Sequence, residues 1–468
     1  MGKIKFYSVI IFSLLSVMAK AQDSISFIEP SSDDKKLKLS GELLVDERFL
    51  LKDKTPWAWN EDRLSLSLDK KILNSSKFHA EAWVRYIGLP SFVSTYDLYN
   101  AGIINPVNLS LREAYFEVTG FLSKKIDLKI GRQRIVWGTA DKLNPTDNLN
   151  PYDLEDIFDF GRHRGSDAIN INYYFYKDFS LQGIYMPFFQ PANLPVGMFS
   201  GILSGGMELP QGLTLLQFSD TLLTPKYNLG ESSSAGLKLK GNLSVLDFSV
   251  SYLWGHIGLP VITRNTITAV DTLGGINVRT QLSYPRVHIF GADIATSVVG
   301  IGLWAEAALF LPEKDVIMTT DLSALYPLSP VPVTQDSMLL DKTKPYCKFI
   351  VGLDYMFREG SYLNFQYLHG FMHEMGGKNL NDYFFLGYEK KFFRDKLKIA
   401  PVGGAFIIND WKDIKHNYAF AYMPQISYKP VDDAEIIIAA SLCGGEGKNM
   451  FANLKDFNMF MFKVKYSF

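Results

Sequence analysis

The sequence predicts an all-β fold: a single transmembrane antiparallel up-and-down barrel of about eighteen strands, with sixteen as the alternative count. Three observations predict it. The chain ends on an alternating strand whose last residue is the aromatic Phe468. Strand-length segments succeed one another with links that alternate between short and long. The chain is also 14% aromatic, with 24 Tyr and 34 Phe, as a lipid band and two aromatic girdles require.

At the N-terminus, Lys3 and Lys5 precede an apolar run from Phe6 to Met18, and Ala19-Lys20-Ala21 gives an A-x-A cleavage site before Gln22. That pattern reads as a secretory signal peptide over residues 1–21. The run is short for a membrane anchor, and no Cys follows the site to take a lipid. Residues 22–36 read as a short periplasmic segment and 37–468 as the barrel, with no internal repeat or linker. Beyond Gln22 no stretch of about 18 apolar residues occurs, so no transmembrane helix is expected. Removing Lys3, Lys5 and Lys20 takes the formal charge from -1 to -4, which speaks against nucleic acid as a partner. Cys347 and Cys443 form neither a disulfide framework nor a metal-finger spacing. They read as isolated thiols, with a pair at the outer ends of their strands as the alternative. No cofactor or metal is called for.

Period-two alternation places the strands near 37–50, 62–71, 77–87, 109–119, 125–138, 166–176, 179–189, 232–241 and 244–254 in the first half. The second half continues with 284–297, 300–311, 346–357, 361–370, 382–393, 396–408, 415–428, 433–443 and 456–468. Even strands end in polar turns such as Asn74-Ser75-Ser76, Lys177-Asp178, Arg358-Glu359-Gly360 and Arg394-Asp395. Odd strands end in longer links, among them 88–108, 139–165, 190–231, 255–283 and 312–345. An even count lets the first and last strands close on each other and leaves no bare edge in lipid. A large soluble β-sandwich would alternate too, but it needs neither the loop asymmetry nor the aromatic terminus. In the last strand Phe460, Phe462, Val464, Tyr466 and Phe468 alternate with Met461, Lys463, Lys465 and Ser467. This resembles the C-terminal insertion signal of bacterial outer-membrane barrels. The resemblance implies the cell outer membrane as location, its lipid as partner, and the insertion machinery as reader of the Phe468 strand.

Alternation also assigns faces. His79, Glu81, Trp83 and Arg85 point inward, opposite Ala80, Ala82, Val84 and Tyr86. Glu113, Tyr115 and Glu117 follow, then Asp127 and Lys129. Continued strictly, the pattern would put Arg132 and Arg134 into hydrocarbon, at about 2–4 kcal/mol each near the midplane. A bulge at Gly131 is therefore expected to return them to the lumen; snorkelling to the headgroups is the alternative. With that bulge, Glu81, Arg85, Glu113, Glu117, Arg132 and Arg134 form one mixed-charge wall, and Glu306, Asp354, Asn364, Gln366 and Glu389 also face inward. The wall reads as a pore lining that orients polar or charged solutes. A salt-bridged lumen that merely holds the barrel closed is the plainer reading.

Two loops stand out. The link after the fifth strand carries Asn144-Pro145, Asn150-Pro151 and the acids Asp147, Asp153, Glu155, Asp156 and Asp159. Acids close to arginines predict a loop that folds inward and pairs with the wall. A Ca²⁺ site would be the sharper reading, but the spacing matches no EF-hand loop. The 190–231 link is apolar and glycine-rich, with Gly197-Met198-Phe199-Ser200-Gly201-Ile202-Leu203 and Leu213-Thr214-Leu215-Leu216. Such a stretch is expected to plug the lumen, lie on the outer leaflet, line a path for hydrophobic cargo, or pack on neighbouring loops.

Gly131-Arg132-Gln133, Trp137-Gly138 and the Asn144-Pro145-Thr146-Asp147 turn resemble a family of uncharacterised Gram-negative outer-membrane barrels, the domain-of-unknown-function family 1302. Leu303-Trp304-Ala305-Glu306-Ala307-Ala308, Val351 to Tyr355 and Asn364 to Tyr367 are similar to its later strands. Members are often encoded beside RND or MMPL-type exporters, so the resemblance implies a transport-linked barrel and such an exporter as partner. The family has no established catalytic residues to carry over. The expected function is therefore an outer-membrane transport barrel. It would be a porin-like channel, or the outer-membrane partner of an envelope exporter handling hydrophobic or amphiphilic solutes. A surface adhesin or structural barrel is the alternative. A hydrolase is disfavoured, because His79, His163, His256, His288, His369, His373 and His416 are scattered and no G-x-S-x-G occurs.

Overall fold

The computed structural model describes residues 37–52, 57–89, 94–200, 212–271, 274–447 and 449–468. The expected signal peptide and the 22–36 segment lie outside the described residues. In chain order the strands are β1 (Lys38–Leu50), β2 (Trp57–Leu73), β3 (Ser76–Ile87), β4 (Val107–Thr119), β5 (Ile126–Gln133), β6 (Ser166–Tyr176), β7 (Phe179–Met186) and β8 (Thr214–Leu223). They continue as β9 (Ser234–Asn242), β10 (Asp247–His256), β11 (Val261–Ala269), β12 (Gly275–Ser283), β13 (Arg286–Val298), β14 (Ile301–Pro312), β15 (Val316–Asp321) and β16 (Thr334–Leu340). The last eight are β17 (Tyr346–Met356), β18 (Ser361–His369), β19 (Asp382–Phe392), β20 (Leu397–Ile408), β21 (Tyr418–Tyr422), β22 (Gln425–Val431), β23 (Ala434–Gly445) and β24 (Met459–Ser467).

Eighteen antiparallel staves close on themselves. β21 and β22 are one stave, since both lie between β20 and β23. Pro424 stands in the gap between them, where proline has no N–H to give the ladder. β1 meets β24 from Glu42 opposite Ser467 to Leu50 opposite Met459. Beyond that ladder Gly41 and Phe468 exchange both backbone hydrogen bonds, at 2.9 and 3.0 Å. The Phe468 ring covers Gly41 so closely that a Cβ there would fall 2.5 Å from it. A smaller sheet of β8, β11, β12, β15 and β16 stands apart from the barrel. It was not foreseen: these strands lie within links read as loops, although Val261–Ala269 (VITRNTITA) is rich in β-branched residues.

Links at one end are short: residues 74–75, 177–178, 299–300 and 432–433 complete four of them. Val299 and Gly300 both take left-handed φ, +52° and +81°, as a two-residue hairpin requires. At the other end the links reach across 88–106, 134–165, 187–233, 257–285 and 313–345. Outside the wall Leu109, Phe116, Ile130, Ile169, Leu237, Phe290, Val351, Phe406 and Ile438 form an exposed apolar band. Inside, toward the long-loop end, two buried apolar clusters fill the barrel. One gathers Trp59, Ile157, Phe199, Ile350, Phe371 and Phe451; the other gathers Ile135, Trp137, Leu149, Val287, Ile289 and Phe310. Each includes residues of the 134–165 loop, so the core of this protein sits in its lumen.

Two local expectations are corrected. No bulge occurs at Gly131: β5 keeps unbroken register with both β4 and β6. Gly131 does adopt φ +122°, and a Cβ there would strike the Ala114 carbonyl at 2.4 Å, so glycine is needed for close approach. Arg132 consequently keeps the outward phase of Leu128 and Ile130. Its charge is met by Asp167, directly opposite on β6, at 2.7 Å. The fifth strand also ends at Gln133, so Arg134 is already in the loop. The irregularity lies instead between β3 and β4, where Glu81 faces Glu113 but Ala82 faces Leu111. Arg112 is the extra residue of that bulge. Strict alternation would assign it to lipid, yet it is buried inside.

Candidate functional site

The 134–165 loop crosses the lumen and is held on both sides. It first braces itself. Asn150 receives the Ile135 N–H at 3.2 Å and donates to the Ile135 carbonyl at 2.5 Å. Arg134 pairs with Asp147 at 2.5 Å, and the Ser166 hydroxyl donates to the Leu149 carbonyl. Trp137 lies against Gly236 of β9 and donates its indole N–H to Gln182.

On the β14 side the anchor is one carboxylate. Glu306, 2% exposed, accepts from the Thr139 and Ala140 amides at 3.0 and 3.2 Å and from the Asn144 side chain at 3.2 Å. Its other oxygen accepts from the Thr146 amide at 2.7 Å and the Thr146 hydroxyl at 2.8 Å. The carboxylate rests on Gly138, whose φ is +92° and whose Cβ, were there one, would lie 2.3 Å from Oε2. The Trp-Gly and Asn-Pro-Thr-Asp motif thus has a physical reading. Gly138 makes room for Glu306, Asn144 and Thr146 donate to it, and Asp147 holds Arg134.

On the β1–β4 side the anchor is a network of opposite charges. Arg48, fully buried, bridges Asp46 at 2.6 Å and Asp156 of the loop. Arg112 pairs with Asp153 at 2.7 Å and also donates to the His163 carbonyl. Arg85 pairs with Glu155 at 2.5 Å and lies 3.6 Å from Glu61. Arg162 reaches Asp153 at 3.1 Å. Arg63 and Arg112 stack over the Trp83 ring, 4.3 and 4.0 Å from its centroid. Burial pushes the Asp156 and Asp153 carboxyls up, but Arg48 on the first and Arg162 with Arg112 on the second outweigh it. Both are held below the usual carboxylate range. Burial keeps the His163 imidazole below its ordinary value, hence neutral near pH 7.

The residues singled out from sequence separate into levels. Arg85, Arg134, Asp147 and Glu306 belong to the loop anchors. Glu81 accepts the Trp83 indole N–H at 2.8 Å, and Glu113 accepts the Arg134 amide at 3.2 Å, at the edge of the same region. Toward the short-turn end, Glu117 lies 3.3 Å from Lys77 and 3.7 Å from Lys129, Asp354 accepts from Tyr362, and Glu389 lies 3.6 Å from Lys398. Arg132 stands apart with Asp167. Sequence reasoning missed Asp46, Arg48, Glu61, Arg112 and Arg162. Period two does place Asp46 and Arg48 on the face of buried Leu44, which was the available signal; Arg112 offered none. The loop acids named as a Ca²⁺ alternative are taken up by these arginines. Cys347 and Cys443 are free thiols.

Two spaces flank the loop. Toward the short turns, about 400 Å³ of polar vestibule is lined by Asn172, Gln182, Lys238, Lys240, Asp247 and Asp293, with Gly138 and Thr139 at its edge. Toward the long loops, a cavity of about 90 Å³ with mixed apolar and polar lining has the 142–152 stretch as one wall. Of the apolar 190–231 link, Phe199 is fully buried against Trp59, Phe158 and Phe457. Residues 201–211 of that link lie outside the described residues.

No curated protein matches the sequence. Among solved structures, the chain is similar to the OmpF porin of Salmonella typhi described in complex with daunomycin. Identity is 8%, over 94% of this chain and 99% of that one, at a TM-score of 0.40. A triple mutant of the Rhodopseudomonas blastica porin is 10% identical over 92% and 100% of the two chains, also at 0.40. OmpT of Vibrio cholerae lacking its loop L8 is 12% identical over 93% and 100%, at 0.40. These are likenesses of form alone. The family model described as "Protein of unknown function (DUF1302)" matches residues 86–385, from the third stave through the looped lumen to β19, and the chain belongs to that family.

Proposed function

We propose that this protein is an outer-membrane transport barrel whose passage is controlled by the 134–165 loop. The exposed apolar band suits a lipid surround, and the short-turn end with both termini suits the periplasmic side. The observation that carries the reading is the position of the loop. It crosses the lumen, is anchored on both walls, and separates an outer cavity of mixed, carboxylate-free lining from a more polar inner vestibule. Arg85, Arg134, Asp147 and Glu306 act in this reading as the constriction. Glu81 and Glu113 support it, and Glu117, Asp354 and Glu389 line the exit. Arg132, paired with Asp167 in the outward phase, is left out of the passage.

The apolar side of the outer cavity supports hydrophobic or amphiphilic cargo, as an envelope exporter of the RND or MMPL type would share. The vestibule supports the simpler channel form. A second reading, a surface attachment barrel, is favoured by the five-stranded sheet standing outside the wall. Planar-bilayer recording separates them. The intact barrel should conduct weakly, and deletion of residues 139–146 should raise single-channel conductance several-fold. Equal silence from both proteins would leave the attachment reading standing and remove this one.

A further inference from the structure

The outer cavity differs in charge from the rest of the lumen. Around the loop anchors arginines meet carboxylates, but no Asp or Glu lines this space. One side of its wall is apolar, with Met186, Leu253, Ile289, Phe310, Tyr346 and Leu368 among the lining residues, and Phe310 stacks on Tyr346 at 5.0 Å; Asn144, Asn148, Asn150 and Ser234 are uncharged polar residues that also line it. The charged side chains that reach it are Lys142, exposed near the mouth, and Lys348, buried in the wall, with His256 as a further titratable group. Lys348 donates to the Phe371 and Met372 carbonyls at 2.7 and 3.2 Å and lies 5.4 Å from the Phe310 centroid. Among the described residues no carboxylate stands within ion-pair distance of it. An ammonium has three donors, and these two carbonyls account for two. The buried Glu374, which accepts the Phe371 amide, acts on Lys348 from beyond pairing distance. A buried cation with no directly paired anion is costly, and an anion brought beside it recovers part of that cost.

We propose that this cavity binds an anionic amphiphile, its apolar body against Phe310, Tyr346 and Leu368 and its carboxylate, sulfate or phosphate head on Lys348. Asn144 and Pro145 line the cavity while Asn144 and Thr146 hold Glu306, so the occupant touches the same turn that anchors the loop. The inference deepens the transport reading and rests on it for its purpose, but binding is measurable without transport.

The test uses the whole barrel in a nonionic detergent and two radiolabelled probes of equal chain length, dodecanoate and dodecan-1-ol, in equilibrium binding. Dodecanoate should bind saturably at about one per barrel and clearly more tightly than the alcohol. Lys348→Gln should weaken dodecanoate about tenfold, which is roughly 1.4 kcal/mol, and leave the alcohol unchanged, while Lys348→Arg should retain it. Met372→Trp, in a loop and against the cavity, should weaken both probes, and keeps the test open should Lys348→Gln fail to assemble. Equal binding of acid and alcohol by the native barrel, or dodecanoate binding indifferent to Lys348→Gln and Met372→Trp, would overturn the proposal. Loss of conductance control with intact dodecanoate binding would strike the transport reading alone.

Discussion

The two anchors of the lumen loop solve one problem by opposite means. At β14 a single buried carboxylate, Glu306, collects five neutral donors, three of them backbone amides. At β1–β4 arginines and carboxylates interlock: Arg48 with Asp46 and Asp156, Arg112 with Asp153, Arg85 with Glu155. The first anchor fixes a backbone conformation, because amides accept no substitute geometry. The second fixes position and depends on every partner being present, since removing one strands a buried charge. A loop held this way is expected to let go from the Glu306 side first, as neutral donors can be taken over by water once the vestibule floods.

The sharpest way to break that contrast is Arg48→Met. It leaves Asp156 without its main partner, while Asp46 keeps Lys463 at 2.9 Å. Losing one member of a buried pair costs about 3–5 kcal/mol. The barrel should assemble with a lowered heat-modifiability midpoint and the loop should become cleavable by protease; an unchanged midpoint and a protected loop would count against the network as an anchor. The Glu306 side should give a smaller loss. Glu306→Ala strands amide donors at about 1–3 kcal/mol each before water relieves them. Gly138→Ala should reproduce that phenotype without removing the carboxylate, because the added Cβ displaces Glu306 and the left-handed φ is strained. Both variants should raise open-channel time in bilayers, with a smaller drop in barrel stability than Arg48→Met. If Gly138→Ala gated normally, the carboxylate would not be resting on Gly138 as described.

Much of this was legible in the sequence. The eighteen staves, the loop asymmetry and the closure through Phe468 follow from period two and from where the polar turns fall. So does the inward phase of Glu306, Arg85 and Lys463. The inward fold of the acid-rich loop was legible because acids and arginines could only satisfy each other out of lipid. Partner identity was not. Alternation tells which face a residue takes but not which distant carboxylate it meets, so Arg48 with Asp156, 108 residues apart, stayed hidden. Arg112 was illegible because its bulge reverses the phase that alternation reports. Arg132 misled for the complementary reason: an outward arginine looked prohibitive in isolation, and Asp167 across the ladder supplies the compensation. The outer sheet was missed because its strands sit inside stretches already assigned as loops.

The smallest effect, and the one that sharpens the contrast most, concerns pH. Asp153 and Asp156 titrate below their ordinary value in the folded state, although burial alone would raise them, because Arg162, Arg112 and Arg48 prevail. A depressed folded value means the unfolded state binds protons first, so these carboxylates stabilise the docked loop fully above the unfolded value of about 3.9. That stabilisation fades only as pH falls below about 4 toward the folded values. Between pH 7 and pH 5 the hold that these two carboxylates have on the loop should therefore not change. Near pH 3 the conductance of the native barrel should rise as the arginine-side anchor loosens. In Arg48→Met the share of that acid step owed to Asp156 should be missing, because its depression depends on Arg48, while the share owed to Asp153 persists. An opening that began at pH 6, or an acid step of equal size in Arg48→Met, would place the control of the loop somewhere other than on these two carboxylates.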